Sequence, residues 1–201
     1  MKTLRAFVAV EFPPSLRERL GEVAAELQRS LPGRVVNWVS PANMHLTLKF
    51  LGDTPEGDVP RICEALATAA KGVAPFTVEV GGLGCFPNLR QPRVVWAGVN
   101  PQEPVLKLQA AVEGALGPLG YEPESRRFSA HLTLGRVRRE ASPGQASRVG
   151  EAVRGHSAAR AGQAPIGRLV LFKSDLRPPR TGGLRPQGPL YTRLFAANLN
   201  G

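Results

Sequence analysis

The stretch Asn43-Met44-His45-Leu46-Thr47-Leu48-Lys49-Phe50-Leu51-Gly52 decides the fold, because its central phrase returns as His131-Leu132-Thr133-Leu134-Gly135-Arg136. Each copy follows a polar or turn-like approach, Pro41-Ala42-Asn43-Met44 and Arg127-Phe128-Ser129-Ala130, and reads as a β-strand. Side chains of a strand alternate between its faces. Leu46, Leu48, Leu132 and Leu134 therefore point into a core, while His45 shares the other face with Thr47, and His131 with Thr133. Either phrase alone is a common accident. Two of the chain's three histidines standing in one repeated phrase point to an internal duplication with two-fold pseudo-symmetry. Side by side, the two strands line one cleft with two imidazoles and two hydroxyls.

Outward from the motifs, the chain mixes strands and helices without strict βα alternation. Strands are expected over Thr3 to Phe12, Val35 to Val39, His45 to Leu51, Phe76 to Leu83, Val94 to Val99, Phe128 to Val137, Ile166 to Leu176 and Tyr191 to Asn198. Helical spacing of apolar residues marks Pro13 to Ser30, Gly57 to Lys71 and Pro104 to Leu116, and a short helix follows Ser142-Pro143 through Val153. Gly52-Asp53 is read as the stop of the first motif strand, and Gly81-Gly82-Leu83-Gly84 as a strand-end turn. The segment Arg177 to Pro189, rich in proline, glycine and arginine, is long enough for a flap over a site or for an insertion. This pattern predicts an α+β fold with antiparallel sheets. Residues 1–201 are expected to form a single bilobal domain, each lobe holding one motif strand, with a cleft between them.

Composition narrows the chemistry. A formal net charge of +10 and a pI near 10.7 favour a polyanionic partner. Lys2, Lys49, Lys71, Lys107 and Lys173 are the only lysines, so the charge is mostly arginine, whose planar fork grips phosphate. No apolar run is long enough to span a membrane, and the apolar start is too short for a signal peptide, which reads as a cytoplasmic protein with no membrane partner. Cys63 and Cys85 have no metal-ligand or disulfide spacing and read as packed, reduced thiols. No phosphate-binding glycine loop, metal-binding helix or serine-nucleophile elbow is present, and His156 sits in a polar loop context.

Two histidines facing each other suffice for phosphodiester hydrolysis. Imidazole titrates near ~6.5, so one ring can take a proton from water while the other gives one to the leaving oxygen, on opposite sides of phosphorus. Threonine hydroxyls and an arginine would hold the non-bridging oxygens.

The paired phrases resemble the 2H phosphoesterase superfamily, and most closely its bacterial and archaeal RNA 2′,3′-cyclic phosphodiesterases, also called 2′-5′ RNA ligases. The resemblance extends to Arg5-Ala6-Phe7-Val8-Ala9-Val10, Arg93-Val94-Val95-Trp96, Leu171-Phe172-Lys173-Ser174 and Tyr191. It implies two pseudo-symmetric lobes, each an antiparallel β-sheet flanked by helices, and hydrolysis of a 2′,3′-cyclic phosphate at an RNA 3′ end to a 2′-phosphate, with no metal or other cofactor, by a monomer, and 2′-5′ joining as a minor reverse reaction. By motif match His45 is the acid and His131 the base. Thr47 and Thr133 match phosphate-holding positions, Phe50 a base-stacking position and Arg136 a phosphate contact. Strict alternation turns Phe50 and Arg136 away from their histidines, so both reach the cleft only if the strands bend, bulge or end first. Two alternatives stay open: action on another cyclic or 2′-5′ linked nucleotide, and an RNA-binding module without catalysis.

Overall fold

A computed structural model describes residues 2–176 and 188–201. The chain begins with β1 (Thr3–Glu11), apolar and buried at every position from Ala6 to Val10. Such a strand is covered on both sides. Leu4, Ala6, Val8 and Val10 face the main core, while Phe7 and Ala9 join Val170 and Phe172 in a separate cluster on the other side. Helix α1 (Pro14–Arg29) opens with proline in its first turn, where the missing N–H is not needed. It buries Leu16, Leu20, Ala24 and Leu27. Then come β2 (Val36–Trp38), a 3₁₀ turn at Pro41–Asn43 and the first motif strand, β3 (His45–Pro55).

Gly52 does not stop β3. With φ at +69°, where glycine is at no disadvantage, it carries a register shift against β1, and pairing continues to Thr3↔Pro55. A 3₁₀ turn at Glu56–Asp58 leads into α2 (Val59–Lys71), two residues later than the pattern suggested. The glycine string does not end a strand either; it lies inside β4 (Phe76–Phe86). Gly82, at φ +69°, sits at a bulge against β5 (Val94–Asn100), and a Cβ at Gly84 would stand 2.2 Å from the Trp96 ring. The glycine is needed because the indole lies across it.

The rest of the chain is α3 (Gln102–Leu116), the second motif strand β6 (His131–Val137), α4 (Pro143–Gly155), β7 (Arg160–Ile166), β8 (Arg168–Leu176) and β9 (Pro189–Asn198). Ser142 and Gln145 cap α4 reciprocally. Strand β7 was not legible: Arg-Ala-Gly-Gln-Ala-Pro-Ile lacks β-branched alternation and contains a proline, which an edge strand tolerates. The segment expected as a flap lies outside the described residues, apart from Gly188 and Pro189.

The strands form two antiparallel sheets, ordered β3-β1-β8-β9 and β2-β6-β5-β4-β7. Each holds one motif strand. The sheets are not sequence halves: β2 joins the second sheet, and the last two strands return to the first. Strands β3 and β6 meet between the sheets, and one continuous apolar core draws residues from both. Among the described residues no helix is long and apolar enough to cross a membrane. Both thiols are free; burial pushes Cys85 up to about 11 and also raises Cys63.

One polar residue fastens β3 to the other half of the molecule. Lys49 is 1% exposed; its ammonium pairs with Glu113 on α3 and donates to the Glu122 carbonyl at 2.7 Å. Glu113 also accepts from Gln109 Nε2 at 3.0 Å. Removing one partner of a buried pair leaves the other charge uncompensated, which costs about 3–5 kcal/mol, whereas replacing both with apolar groups is often near neutral. Lys49→Met should therefore lose about 3–5 kcal/mol in urea unfolding at pH 7, and Lys49→Met with Glu113→Leu should regain most of it. Equal losses in the two variants would show that the pair does not hold β3 to α3.

Candidate active site

His45 and His131 are each the first residue of a strand. The backbone two residues earlier lies outside the ladder, so its carbonyl is available. The Asn43 carbonyl accepts from His45 Nδ1 at 2.7 Å, and the Ser129 carbonyl from His131 Nδ1 at 2.7 Å. A carbonyl only accepts, so Nδ1 carries the proton in both rings, and Nε2 is the atom that takes or gives one. The repeated phrase thus produces two imidazoles in the same tautomer, held the same way.

The motif strands share a second feature. Opposite β1, Thr47 pairs with Ala9 and Lys49 with Val8, so Leu48 is an extra residue. Opposite β5, Thr133 pairs with Trp96 and Gly135 with Val95, so Leu134 is an extra residue. Two consecutive side chains turn inward at each bulge: Leu48 and Lys49 are buried, and Leu134 and Gly135 are buried. Alternation then resumes out of phase, and Phe50 and Arg136, both exposed, come out on the histidine side. The rings agree, since Phe7 lies 4.8 Å from His45 and 6.1 Å from Phe50. This is the condition the sequence imposed on these two residues. Thr47 and Thr133 are half-buried on the same faces as their histidines.

The surroundings of the two rings differ. His45 stacks on Phe7, with the Tyr191 ring edge-on at 5.1 Å and Phe172 at 6.2 Å. His131 meets Phe86 edge-on at 4.9 Å, with Trp96 at 6.4 Å. Burial pushes the His45 pKa down to about 4, against the opposing pull of the Asn43 carbonyl and the Glu11 carboxylate. His131 is also lowered by burial; the Ser129 carbonyl opposes this and the Arg136 guanidinium adds to it. Burial raises the Tyr191 hydroxyl, and Arg136 acts on it in the other direction. Arg136 therefore lies near enough to act on both His131 and the tyrosine packed against His45, consistent with the contact between β3 and β6.

Several residues of the site carry no functional signal in the sequence. Glu11 is the cross-strand partner of His45, and its Oε1 accepts from Arg193 Nε at 3.1 Å and Nη2 at 2.8 Å. Asn43 Nδ2 donates to the Pro189 carbonyl at 2.9 Å, fastening the start of β9, and so Tyr191, beside His45. A cavity of about 230 Å³ next to His45 is lined by Glu11, Arg17, Asn43, Tyr191 and Arg193, among others. A larger one, about 500 Å³, runs along β4 at Glu79 and Asn100, away from both motifs. His156 is not part of the cleft; it caps α4, with Nδ1 at 2.8 Å from the Ala152 carbonyl.

Comparison with known proteins gives matches over nearly the whole chain. The family described as LigT like Phosphoesterase matches residues 10–96 and again 98–181, one motif in each span. An RNA 2′,3′-cyclic phosphodiesterase of Methanothermobacter thermautotrophicus is 33% identical, covering 94% of this chain and 95% of the relative. One from Archaeoglobus fulgidus is 36% identical, covering 95% and 98%. Among solved structures, a Thermus thermophilus protein aligns with a TM-score of 0.77 at 28% identity over 98% of this chain and 99% of its own. Escherichia coli LigT complexed with 3′-AMP aligns at 0.71 and 23% identity over the full length of both, a likeness of fold.

The depressed His45 pKa makes a prediction about stability. The unfolded state binds the His45 proton near ~6.5 and the folded state near 4, so the contribution is flat above the first value and is lost as pH falls toward the second. Between pH 7 and pH 4 the wild type should lose roughly 3 kcal/mol more than His45→Gln, since one pKa unit corresponds to about 1.4 kcal/mol. Urea unfolding of both proteins at pH 7, 5.5 and 4 measures the difference; parallel curves would mean that the buried ring is not held neutral.

Proposed function

The chain belongs to the LigT-like phosphoesterase family, and on that footing we propose that it hydrolyses the 2′,3′-cyclic phosphate at an RNA 3′ end to a 2′-phosphate, with His45 as general acid and His131 as general base. The observation that carries this reading is the pair of imidazoles fixed in one tautomer on neighbouring motif strands, with opposite charges beside them. His45 has the Glu11 carboxylate as its neighbour, which favours the imidazolium. His131 has the Arg136 guanidinium, which favours the neutral base. Burial is the larger effect and lowers both rings, His45 to about 4, so the division into acid and base is supported by the motif match and by these neighbours rather than by the resting proton affinities.

In the free protein burial keeps both rings neutral. A bound phosphodiester brings a negative charge that favours the imidazolium in both; in the proposed assignment His45, with Glu11 alongside, takes up the proton. Water, deprotonated by His131 Nε2, attacks phosphorus in line with the P–O3′ bond; that bond breaks, and His45 Nε2–H protonates O3′. Thr47, Thr133 and Arg136 hold the non-bridging oxygens as charge grows on them. Phe50, 62% exposed on the cleft side, offers its ring to the terminal base. A 5′-hydroxyl in place of water would give a 2′-5′ linkage by the same steps.

The direct test is incubation with an RNA ending in a 2′,3′-cyclic phosphate, with the product isomer identified. The expected product is the 2′-phosphate, at a rate unchanged by EDTA, because two imidazoles do all the proton transfer. A 3′-phosphate product, or activity lost in EDTA and restored by Mg²⁺ or Zn²⁺, would overturn the mechanism.

The two roles separate on a substrate with sulfur at the 3′ bridging position. A thiolate leaves without protonation, its pKa being near ~8.5 by analogy with cysteine. Each His→Ala change should cost on the order of 10²–10⁴ in rate on the oxygen substrate. On the sulfur substrate His45→Ala should recover most of its loss while His131→Ala stays slow. Rescue of His131→Ala instead would reverse the assignment.

A further inference from the structure

The second motif strand leaves the cleft just beyond Arg136, at one end of the second sheet, and that end is built from arginines. The Arg138 N–H donates to the Val35 carbonyl at 2.9 Å, and its Nη1 donates to the Arg34 carbonyl at 3.3 Å. The Val137 N–H donates to the Arg93 carbonyl at 2.9 Å. These bonds bring the approach to β2, the exit of β6 and the approach to β5 together, with Arg34, Arg93, Arg138 and Arg139 on adjacent segments. Arg34, Arg93 and Arg139 are exposed, as is Arg136. Neighbouring strands are spaced about 4.8 Å apart, so Arg34 and Arg93 stand roughly 10 Å apart across β6, within reach of different phosphates of one chain.

Some exposed cations elsewhere meet acids, as in Lys2–Glu56, Arg5–Asp53, Lys107–Glu103 and Arg193–Glu11, and others stand singly. At this end the ion pair found among the described residues is Arg138–Glu140, at 3.5 Å. A crowd of like charges at the mouth of a cleft repels itself unless a polyanion fills it. Asn37, paired with Arg136 across the ladder and exposed, adds a neutral donor on the same path.

We propose that this arginine end of the second sheet is the track by which the RNA chain leaves the cleft, holding the backbone phosphates of nucleotides on the 5′ side of the reacting end. The proposal rests on the reading of the cleft as a site for an RNA 3′ end. With the terminal phosphate between the histidines and at Arg136, the chain continues over Arg34, Arg93 and Arg139. Those three side chains take no part in the proton transfers, and Arg34 and Arg93 hold the sheet end through their backbone carbonyls, so their side chains can be changed without loosening it.

The test compares two triple variants with the wild type. One is Arg34→Gln/Arg93→Gln/Arg139→Gln; the control, Arg61→Gln/Arg154→Gln/Arg168→Gln, removes equal charge at exposed positions elsewhere. Turnover is measured on a cyclic mononucleotide and on an RNA of about ten nucleotides with a cyclic end, and binding of an equally long RNA ending in a 2′-phosphate is followed by fluorescence anisotropy across salt. Single-stranded contacts contribute a slope of about 0.7 per phosphate in log affinity against log salt. The track variant should keep mononucleotide turnover within about twofold, weaken oligomer binding at least about tenfold, and flatten the salt slope by about 2. The control should leave the slope near wild type. Equal changes in both variants would mean diffuse charge rather than a track, and an unchanged slope in the track variant overturns the proposal outright. If wild type turns over neither substrate, the activity reading fails, and the anisotropy slopes still decide the track.

Discussion

A strand that closes a core on one face must show side chains alternately to the core and to the cleft. Each motif needs more from its strand: a histidine, a threonine two residues on, and a third side chain five residues on, all facing one way. Strict alternation supplies the first two and turns the third away. Both β3 and β6 meet the demand by inserting one residue, Leu48 and Leu134, into their ladders. The cost of a bulge is that two adjacent side chains point inward. In β6 the second of them is Gly135, where a Cβ would meet Val36 at 2.6 Å and the Trp38 ring at 2.8 Å. In β3 it is Lys49, and a buried ammonium is tolerable only because Glu113 and the Glu122 carbonyl receive it. The same pairing reaches across to α3. The local device that turns Phe50 toward the cleft is therefore also a fastening between the first motif strand and an element of the second half of the chain.

Much of this was legible in the sequence because it is a matter of period. The repeated His-Leu-Thr-Leu fixes which face is core and which is cleft, and a five-residue spacing on a strand of period two demands a bend, a bulge or an early end. What was not legible depends on non-local pairing. Phe7, Ala9 and Glu11 lie on the cleft side of β1, but the run is apolar on both faces, so alternation carries no information about which side is which. Glu11 and Arg193 come together only because β8 and β9 return to the first sheet. The glycines near position 82 read as a turn because nothing local shows that Trp96, on a neighbouring strand, lies over Gly84. Lys49 gives no local sign of its burial for the same reason: its partners lie on α3 and in the segment after it.

The bulges and the tautomers repeat between the two motifs, yet hydrolysis of a phosphodiester asks opposite things of the two rings. A symmetric pair of imidazoles would share one proton affinity and so would give no preference for which ring gives and which takes. The backbone preserves the duplication while the neighbours break it. Across the ladder from His45 stands Glu11; across from His131 stands Gly98. A side chain at Gly98 would begin 3.0 Å from the Gly81 carbonyl, so no carboxylate fits there without moving β4. Five residues after the histidines the difference runs the other way, with a neutral ring at Phe50 and a guanidinium at Arg136. One histidine is thus supplied with a negative neighbour and the other with a positive one, at positions the duplication makes equivalent. These few substitutions on a repeated frame make the surroundings of the two rings unequal, although burial, the larger effect, lowers both.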